Sequence, residues 1–201
     1  AIYHRGHSKS VSEQGLGAFG DGGWLGLCQD LRTLLSKVRN EHTGLKTILF
    51  GHSMGSFAAQ RLCLDHSDEM DAVILSGSSS VDVMATALAE AENAEDNGGD
   101  VDLSAFNTAF EPARTPFDWL SRDEAEVDRY IKSPLCGFDL QAESAATLFG
   151  SGAYHGEDSA IENIRNDLPV LMVAGDADPL NGTLELLNLL EARWRAGGVP
   201  N

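Results

Sequence analysis

The chain of 201 residues is 42% hydrophobic and carries a formal net charge of −17. That length and apolar content suffice for one sizeable core. The negative charge argues against nucleic acid and anionic membrane surfaces as partners, and no run of residues reaches the roughly 18 to 20 apolar positions of a membrane span.

The first predicted element is an amphipathic helix over residues 22–42. Apolar side chains recur there at spacings of three and four residues, which places them on one face. They are Trp24, Leu27, Cys28, Leu31, Leu34, Leu35 and Val38. Asp21 is the predicted N-cap, and Gly44 ends the segment.

Three short apolar segments are predicted to be strands. They are residues 45–50, 72–75 and 170–174. A helix that ends near His66 follows the first strand, and a helix over 184–194 follows the third. Strands that alternate with amphipathic helices indicate an α/β fold, with a mostly parallel sheet that helices cover on both faces.

The long stretch between the second and third strands contains no further strand pattern. We expect it to be mostly helical and irregular, as an insertion over the carboxyl ends of the strands. The chain would then consist of a first core part (1–80), an insertion (81–167) and a second core part (168–201). Within the insertion, 89–102 is rich in acidic residues, Asn and Gly, which predicts a solvated, mobile loop.

Residues 51–55 read Gly-His-Ser-Met-Gly and stand between the first strand and its helix. In that context the segment predicts a strained turn that holds the Ser53 hydroxyl at the end of the sheet. Side chains at Gly51 and Gly55 would collide with so tight a turn. The backbone N–H of Met54 would face an oxyanion. Ser53 is therefore the candidate nucleophile, and a glycine-rich turn without chemistry is the alternative.

Three further patches accompany residues 51–55. Residues 4–10 contain an Arg-Gly-His loop, and residues 175–179 read Gly-Asp-Ala-Asp-Pro. Residues 117–138 contain Phe-Asp-Trp-Leu, Asp-Arg-Tyr and Pro-Leu-Cys-Gly-Phe. Together the four patches resemble the α/β-hydrolases, in particular bacterial members similar to lysophospholipase and monoacylglycerol lipase. The resemblance implies a serine hydrolase in which the insertion is a cap, or lid, over the active site.

The chain also departs from that family. Tyr3 stands where the family usually has Asp, and Ser8 where it has Gly. The family has strands before the Arg-Gly-His loop, with a loop that supplies a second oxyanion N–H, and a catalytic His beyond one further strand at the other end. The chain therefore resembles the middle of a hydrolase that is shortened at both ends. We expect these 201 residues alone to be nearly inactive, because the general base is absent.

The resemblance assigns the catalytic acid to Asp178, the carboxylate that precedes Pro179, and leaves Asp176 as its rival. In this fold the chain order is nucleophile, acid and then histidine. Asp178 would hold the imidazole in the right tautomer and stabilise its charged form. The alternative for Asp178 is a surface turn without a catalytic role.

None of the histidines in the chain fits the third position of such a triad well. His52 lies inside the turn, and its side chain is expected to point away from the Ser53 hydroxyl. His4 and His7 precede the nucleophile and are expected to brace their loop. His155, in the insertion, is the one histidine that could swing toward the site.

Aromatic side chains are frequent in the insertion. They are Trp119, Tyr130, Phe138 and Phe149. They either line a pocket for an acyl chain or form the core of the insertion itself. Trp119 and Phe138 are the candidates for contact with a substrate.

No metal or cofactor is expected. The sequence lacks the His-Glu-x-x-His pattern and paired Cys and His ligands. Residues 15–20 have the letters Gly-x-Gly-x-x-Gly, but no strand precedes them, which favours a flexible loop over a dinucleotide site. Cys28, Cys63 and Cys136 are far apart and odd in number, so we expect reduced cysteines, buried in the first two cases, and a cytoplasmic protein.

These patterns together indicate a serine hydrolase of carboxylic esters that forms an acyl-enzyme on Ser53. The resemblance implies a small lipid-like substrate, monoacylglycerol or lysophospholipid, and a place in lipid metabolism. Two alternatives stay open. One is a peptidase or another acyl-transfer enzyme of the same fold. The other is a catalytically incomplete fragment or pseudoenzyme that acts as a binding module.

Overall fold

A computed structural model describes residues 2–11, 13–94 and 103–200. Its strands and α-helices alternate as the sequence predicts. In chain order they are α1 (Gly23–Glu41), β1 (Ile48–His52), α2 (Met54–His66), β2 (Ala72–Ser76), α3 (Val81–Ala94), α4 (Glu124–Lys132), α5 (Ala142–Gly150), α6 (Asp158–Ile161), β3 (Val170–Val173) and α7 (Glu185–Ala196). The acidic segment 89–102, predicted to be a loop, is helical as far as Ala94, and residues 95–102 lie outside the described residues.

The three strands form one parallel sheet in the order β1-β2-β3. Phe50 pairs with Ile74, and Ile74 pairs with Leu171. The predicted parallel α/β fold is thereby confirmed, although β1 begins at Ile48 rather than at residue 45. Because the carboxyl ends of parallel strands meet at one edge of a sheet, Ser53 after β1 and Asp178 after β3 are brought to the same edge.

The hydrophobic core lies against one face of this sheet. Val73 and Leu75 point into it with 1% and 0% of their surface exposed. The helices contribute large buried side chains to the same cluster, among them Trp24 on α1 and Trp194 on α7. Cys28 and Cys63 are buried and free, as predicted, and Cys136 is free and exposed.

The opposite face of the sheet is open to solvent, which corrects the prediction of helices on both faces. Side chains alternate between the two faces of a strand, so every second residue of β1 and β3 points away from the core. These residues are Ile48, Phe50, Leu171 and Val173, which are 58%, 63%, 53% and 47% exposed. In the part of the chain that the structure describes, the helices pack against the other face.

The start of α1 is capped by another helix and not by Asp21. Gly22 occupies the N-cap position with φ of +83°, and no side chain of the flanking residues caps the helix. Instead the backbone N–H of Trp24 donates to Thr147 Oγ1 on α5 at 3.1 Å. Asp21 offers its backbone carbonyl to the Arg5 guanidinium at 2.7 Å. A tertiary contact thus replaces the local cap that the sequence predicts.

Candidate active site

Ser53 occupies the sharp turn between β1 and α2 that the sequence predicts. Its backbone has φ of 51° and ψ of −125°, a region that side-chain-bearing residues rarely adopt. Such a conformation costs about 1–3 kcal/mol and persists only where the surroundings enforce it. The predicted strain at the end of the sheet is therefore confirmed.

Only one of the two glycines in the turn lies where a side chain would collide with neighbouring atoms. A Cβ on Gly51 would lie 2.7 Å from the Cα of Ser56 and closer still to the Gly55 carbonyl. A Cβ on Gly55 would meet nothing nearer than His4 Nε2, at 4.0 Å. The prediction that both positions exclude a side chain is right for Gly51 and wrong for Gly55.

Backbone hydrogen bonds hold the strained turn. The N–H of Ser53 donates to the carbonyl of Ser76 at the end of β2, at 2.9 Å. The Ser53 carbonyl accepts from the N–H of Ser56 at 2.7 Å. Met54 is the first residue of α2, where a backbone N–H has no acceptor within the helix. Its N–H is therefore free to bind a negatively charged oxygen formed next to Ser53.

Asp178 lies in the loop after β3 and its carboxylate is held in place. It accepts hydrogen bonds from the N–H of Leu180 at 3.0 Å and from Asn181 Nδ2 at 3.2 Å. Its rival Asp176 is exposed and pairs with Arg122 at 3.3 Å, where both side chains are more than 80% exposed. The two carboxylates therefore differ in how firmly they are held: Asp178 is fixed at the sheet edge, and Asp176 lies in solvent.

Two depressions meet at Ser53. The first, here called the apolar cavity, has a volume of about 360 Å³ and continues from Ser53, Met54 and Phe57 into the insertion. Its wall includes all four aromatic residues that the sequence singled out: Trp119, Tyr130, Phe138 and Phe149. The cavity is thus a mostly apolar space with the Ser53 hydroxyl at its border.

The second depression, here called the acid cleft, is more polar. It has a volume of about 440 Å³ and is lined by Ser53, His52, Asp178 and Arg122, among others. Trp119 borders both depressions, and its indole N–H has no partner in the structure. The structure thus brings Ser53 and Asp178 to one cleft and places Trp119 between that cleft and the apolar cavity.

The histidines near the turn bond to groups other than the nucleophile. His52 Nδ1 lies 3.1 Å from Ser76 Oγ in the acid cleft. His7 borders the apolar cavity, where its Nδ1 donates to the Arg5 carbonyl at 3.1 Å. Across residues 2–11, 13–94 and 103–200, no imidazole is hydrogen-bonded to the hydroxyl of Ser53 or to the carboxylate of Asp178.

His155 does not lie at the site, which corrects the hypothesis that it could swing toward Ser53. It is 2% exposed, in the short 3-10 helix Gly152–Gly156. Its Nδ1 lies 3.4 Å from Gln60 Oε1, and its Nε2 has no partner. Burial lowers the pKa of His155 to about 4. An imidazole that is enclosed in this way stays neutral and cannot reach the acid cleft.

The burial of His155 predicts a loss of stability in mild acid. The unfolded chain binds a proton to this residue below about pH 6.5, whereas the native protein binds it only near pH 4. Since the unfolded state holds more protons in that window, the free energy of unfolding should fall as the pH decreases from 6.5 to 4. The contribution of this one residue is at most about 1.4 kcal/mol per pH unit.

Urea denaturation between pH 7 and pH 4 would measure this dependence. His155→Gln should flatten it, and His42→Gln at an exposed position should leave it unchanged. Asp65 and Asp82, whose pKa values are lowered by Arg61 and Arg193, contribute their own loss at lower pH. An equal pH dependence in His155→Gln and the wild type would contradict the prediction.

Neither a metal centre nor a bilayer-spanning element is found in the described part of the chain. No group of three or more His, Cys, Asp and Glu side chains there could hold a metal ion. None of its helices combines the length and the apolar character that a membrane crossing requires. Residues 15–20 form a loop, as predicted.

Sequence reasoning missed the buried polar residues behind the turn. Ser56, Gln60 and Ser78 are 0%, 1% and 0% exposed, and hydrogen bonds join them to one another. The signal in the sequence that could have revealed them was Gln60, a glutamine among apolar residues on α2. A polar side chain at such a position needs a buried partner, because burial without a hydrogen bond is costly.

A family model described as serine aminopeptidase, S33, matches residues 1–191. A carboxyl esterase from Bacillus coagulans, in complex with glycerol, is 25% identical and has a TM-score of 0.77, over 98% of this chain and 68% of the esterase. A lipase in its open form is 20% identical, with a TM-score of 0.74 over the same shares. A monoacylglycerol lipase from Paleococcus ferrophilus is 21% identical, with a TM-score of 0.59 over 92% of this chain and 65% of the lipase. No curated protein matches the sequence.

Proposed function

Because the chain belongs to the serine aminopeptidase S33 family of α/β-hydrolases, we propose that it is a serine hydrolase of carboxylic esters with a lipid-like acyl chain. The observation that carries this proposal is the position of Ser53, in a strained turn where the apolar cavity meets the acid cleft. Monoacylglycerol or lysophospholipid is the proposed substrate class.

In the proposed reaction, the hydroxyl oxygen of Ser53 attacks the ester carbonyl. The N–H of Met54 donates to the oxygen that becomes negative, and Asp178 orients the imidazole that takes the hydroxyl proton. The imidazole returns the proton to the departing alcohol, and the acyl group stays on Ser53. Water then attacks the acyl group, which leaves as the carboxylic acid, and the Ser53 hydroxyl is restored. The general base is not assigned to a described residue, so the tests below are done with and without free imidazole.

The two depressions support a division of the substrate between them. The apolar cavity suits the acyl chain, because burying each methylene contributes about 0.8 kcal/mol. The acid cleft suits the alcohol, which is polar in monoacylglycerol and lysophospholipid. Trp119 borders both depressions, so its side chain would lie near the point where the acyl chain and the alcohol meet. The esterase with 25% identity, solved with glycerol, supports the ester class.

Filling the apolar cavity should shorten the acyl chain that the enzyme accepts. Ala145 on α5 lines the cavity and is 7% exposed, so Ala145→Phe places a ring inside it. Hydrolysis of p-nitrophenyl laurate should fall by about tenfold or more relative to p-nitrophenyl acetate. The measurement is kcat/KM for a series of p-nitrophenyl esters.

Ala146→Phe is the matched control for this experiment. It puts the same ring on the same helix, but at an exposed position. The control should keep the chain-length profile of the wild type. An unchanged profile in Ala145→Phe would show that the acyl chain lies elsewhere.

A peptidase is the second candidate function, because the matching family model is described as a serine aminopeptidase. The same nucleophile and acid would serve an amide as well as an ester. Amino-acid p-nitroanilides separate the two possibilities. Cleavage of leucine p-nitroanilide at a higher kcat/KM than p-nitrophenyl esters would favour the peptidase. The proposed ester hydrolase requires the reverse order.

A further inference from the structure

A line of buried polar side chains runs behind the Ser53 turn. Ser56 and Gln60 lie on α2, and Ser78 follows β2. Each is at most 1% exposed, next to the apolar core. Polar groups at such depth are kept only when their hydrogen bonds are satisfied, so their partners show what the arrangement does.

The hydrogen bonds of this line have one direction. Gln60 Nε2 donates to Ser78 Oγ at 2.8 Å and to the Ser79 carbonyl at 3.0 Å. An amide nitrogen cannot accept, so Ser78 Oγ is the acceptor and its single proton is free for another partner. The neighbour in reach is Ser56 Oγ, at 2.8 Å. Ser78 donates to Ser56, because the single proton of Ser56 Oγ goes to the Ser53 carbonyl, which can only accept.

The last bond of the line ends on the nucleophile. Ser56 Oγ accepts from Ser78 and has one proton of its own, which it donates to the Ser53 carbonyl at 2.6 Å. That carbonyl belongs to the peptide unit whose N–H is carried by Met54. A hydrogen bond to the oxygen of a peptide unit polarises the unit and makes its N–H a stronger donor.

The far end of the line is held by His155. Gln60 Oε1 can only accept, so the proton of the neutral imidazole is on Nδ1, 3.4 Å away. The Ser79 carbonyl can only accept, so the nitrogen of the Gln60 amide faces it. The amide is thereby held in the orientation in which the same nitrogen donates to Ser78.

We propose that Gln60, Ser78 and Ser56 form a directed hydrogen-bond relay that positions and polarises the Met54 N–H as the oxyanion donor. The inference rests on the proposed function, since it concerns the oxyanion of that reaction. Ser56 and Gln60 are positioning residues in this scheme, because they act on the reacting atoms only through the Ser53–Met54 peptide unit.

Ser56→Ala removes the bond that ends on the Ser53 carbonyl and is the first test. We expect the rate of fluorophosphonate labelling of Ser53, with free imidazole present, to fall by roughly three- to tenfold. The amide proton of Met54 should shift upfield in the NMR spectrum, because its peptide unit is less polarised. Gln60→Met, which keeps the length of the side chain and removes its donors, should shift it in the same direction by a smaller amount.

Ser67→Ala is the matched control. Ser67 is also a buried serine, 5% exposed, but it lies just beyond the other end of α2 and bonds to Asn163 and Arg165. The Ser67→Ala variant should keep the labelling rate and the Met54 amide shift of the wild type. This should hold even if the melting temperature falls as far as it does in Ser56→Ala. Equal effects of Ser56→Ala and Ser67→Ala on either readout would reduce the relay to a general contribution to stability.

The failure of this inference can be told apart from the failure of the proposed function. If Ser53→Ala removes labelling while Ser56→Ala labels at the wild-type rate with an unshifted Met54 amide, the relay is wrong and the nucleophile is right. If the wild type is not labelled at Ser53, the proposed function is wrong. The change in the Met54 amide proton shift in Ser56→Ala then still tests whether the hydrogen bonds have the proposed direction.

Discussion

Ser53→Ala is expected to abolish fluorophosphonate labelling and imidazole-assisted ester hydrolysis. The expectation follows from the turn, which holds one hydroxyl at the border of the apolar cavity with the free N–H of Met54 beside it. We expect the 201 residues to turn over esters slowly without added imidazole, because no imidazole is bonded to Ser53 in the described residues.

The measurement is the second-order rate of labelling of the purified protein, with and without imidazole, followed by identification of the labelled peptide. Ser121→Ala is the control, because Ser121 also borders the acid cleft but lies in the insertion. It should be labelled like the wild type. Labelling that persists in Ser53→Ala would remove Ser53 as the nucleophile and the proposed function with it.

With free imidazole present, Asp178→Asn is expected to lower turnover and to leave the fold intact, and the loss approaches the roughly 10⁴-fold of a complete triad only where a histidine of the protein itself is the base. Asparagine keeps one oxygen that can accept from the Leu180 N–H. Its amide nitrogen, a donor, would face Asn181 Nδ2, which is also a donor. The neutral side chain also cannot stabilise an imidazolium, and it favours the wrong imidazole tautomer. The loss should therefore appear in kcat rather than in the melting temperature.

Asp176→Asn is the matched control, since it makes the same change two residues away. That carboxylate is exposed and its partner Arg122 is exposed as well, so the pair contributes little. Turnover of Asp176→Asn should stay within about twofold of the wild type. If Asp176→Asn proves the more damaging variant, the acid has been assigned to the wrong carboxylate.

Much of the fold follows from local patterns in the sequence. The strand, the turn at 51–55 and α2 could be predicted together, because an apolar run, a tight turn and a helical periodicity succeed one another within about 20 residues. A parallel sheet was also predicted, since alternating strands and helices favour one, whereas the central position of β2 came only from the structure. Ser53 could be named from its turn between a strand and a helix, and Asp178 from the resemblance to the α/β-hydrolases.

Three of the errors have a common cause, which is the placement of residues that are far apart in the chain. Thr147 caps α1 from α5, so Asp21 is not needed at that position. Gly55 has space for a side chain because the nearest atom to a Cβ there, His4 Nε2, is 4.0 Å away. His155 is enclosed next to Gln60, although the two are 95 positions apart in the sequence. None of these contacts leaves a local pattern.

The sequence by itself determined the order of the elements, the strained serine turn and the two carboxylates after β3, because spacing and residue type act over a few neighbouring residues. Only the tertiary structure decided that Asp178 is ordered at the cleft while Asp176 is in solvent, that the aromatic residues of the insertion surround a cavity, and that a polar relay ends on the Ser53 carbonyl. Those outcomes depend on distances across the sheet and the core. Such distances are set when the hydrophobic faces of separate elements pack together and the buried polar groups find partners.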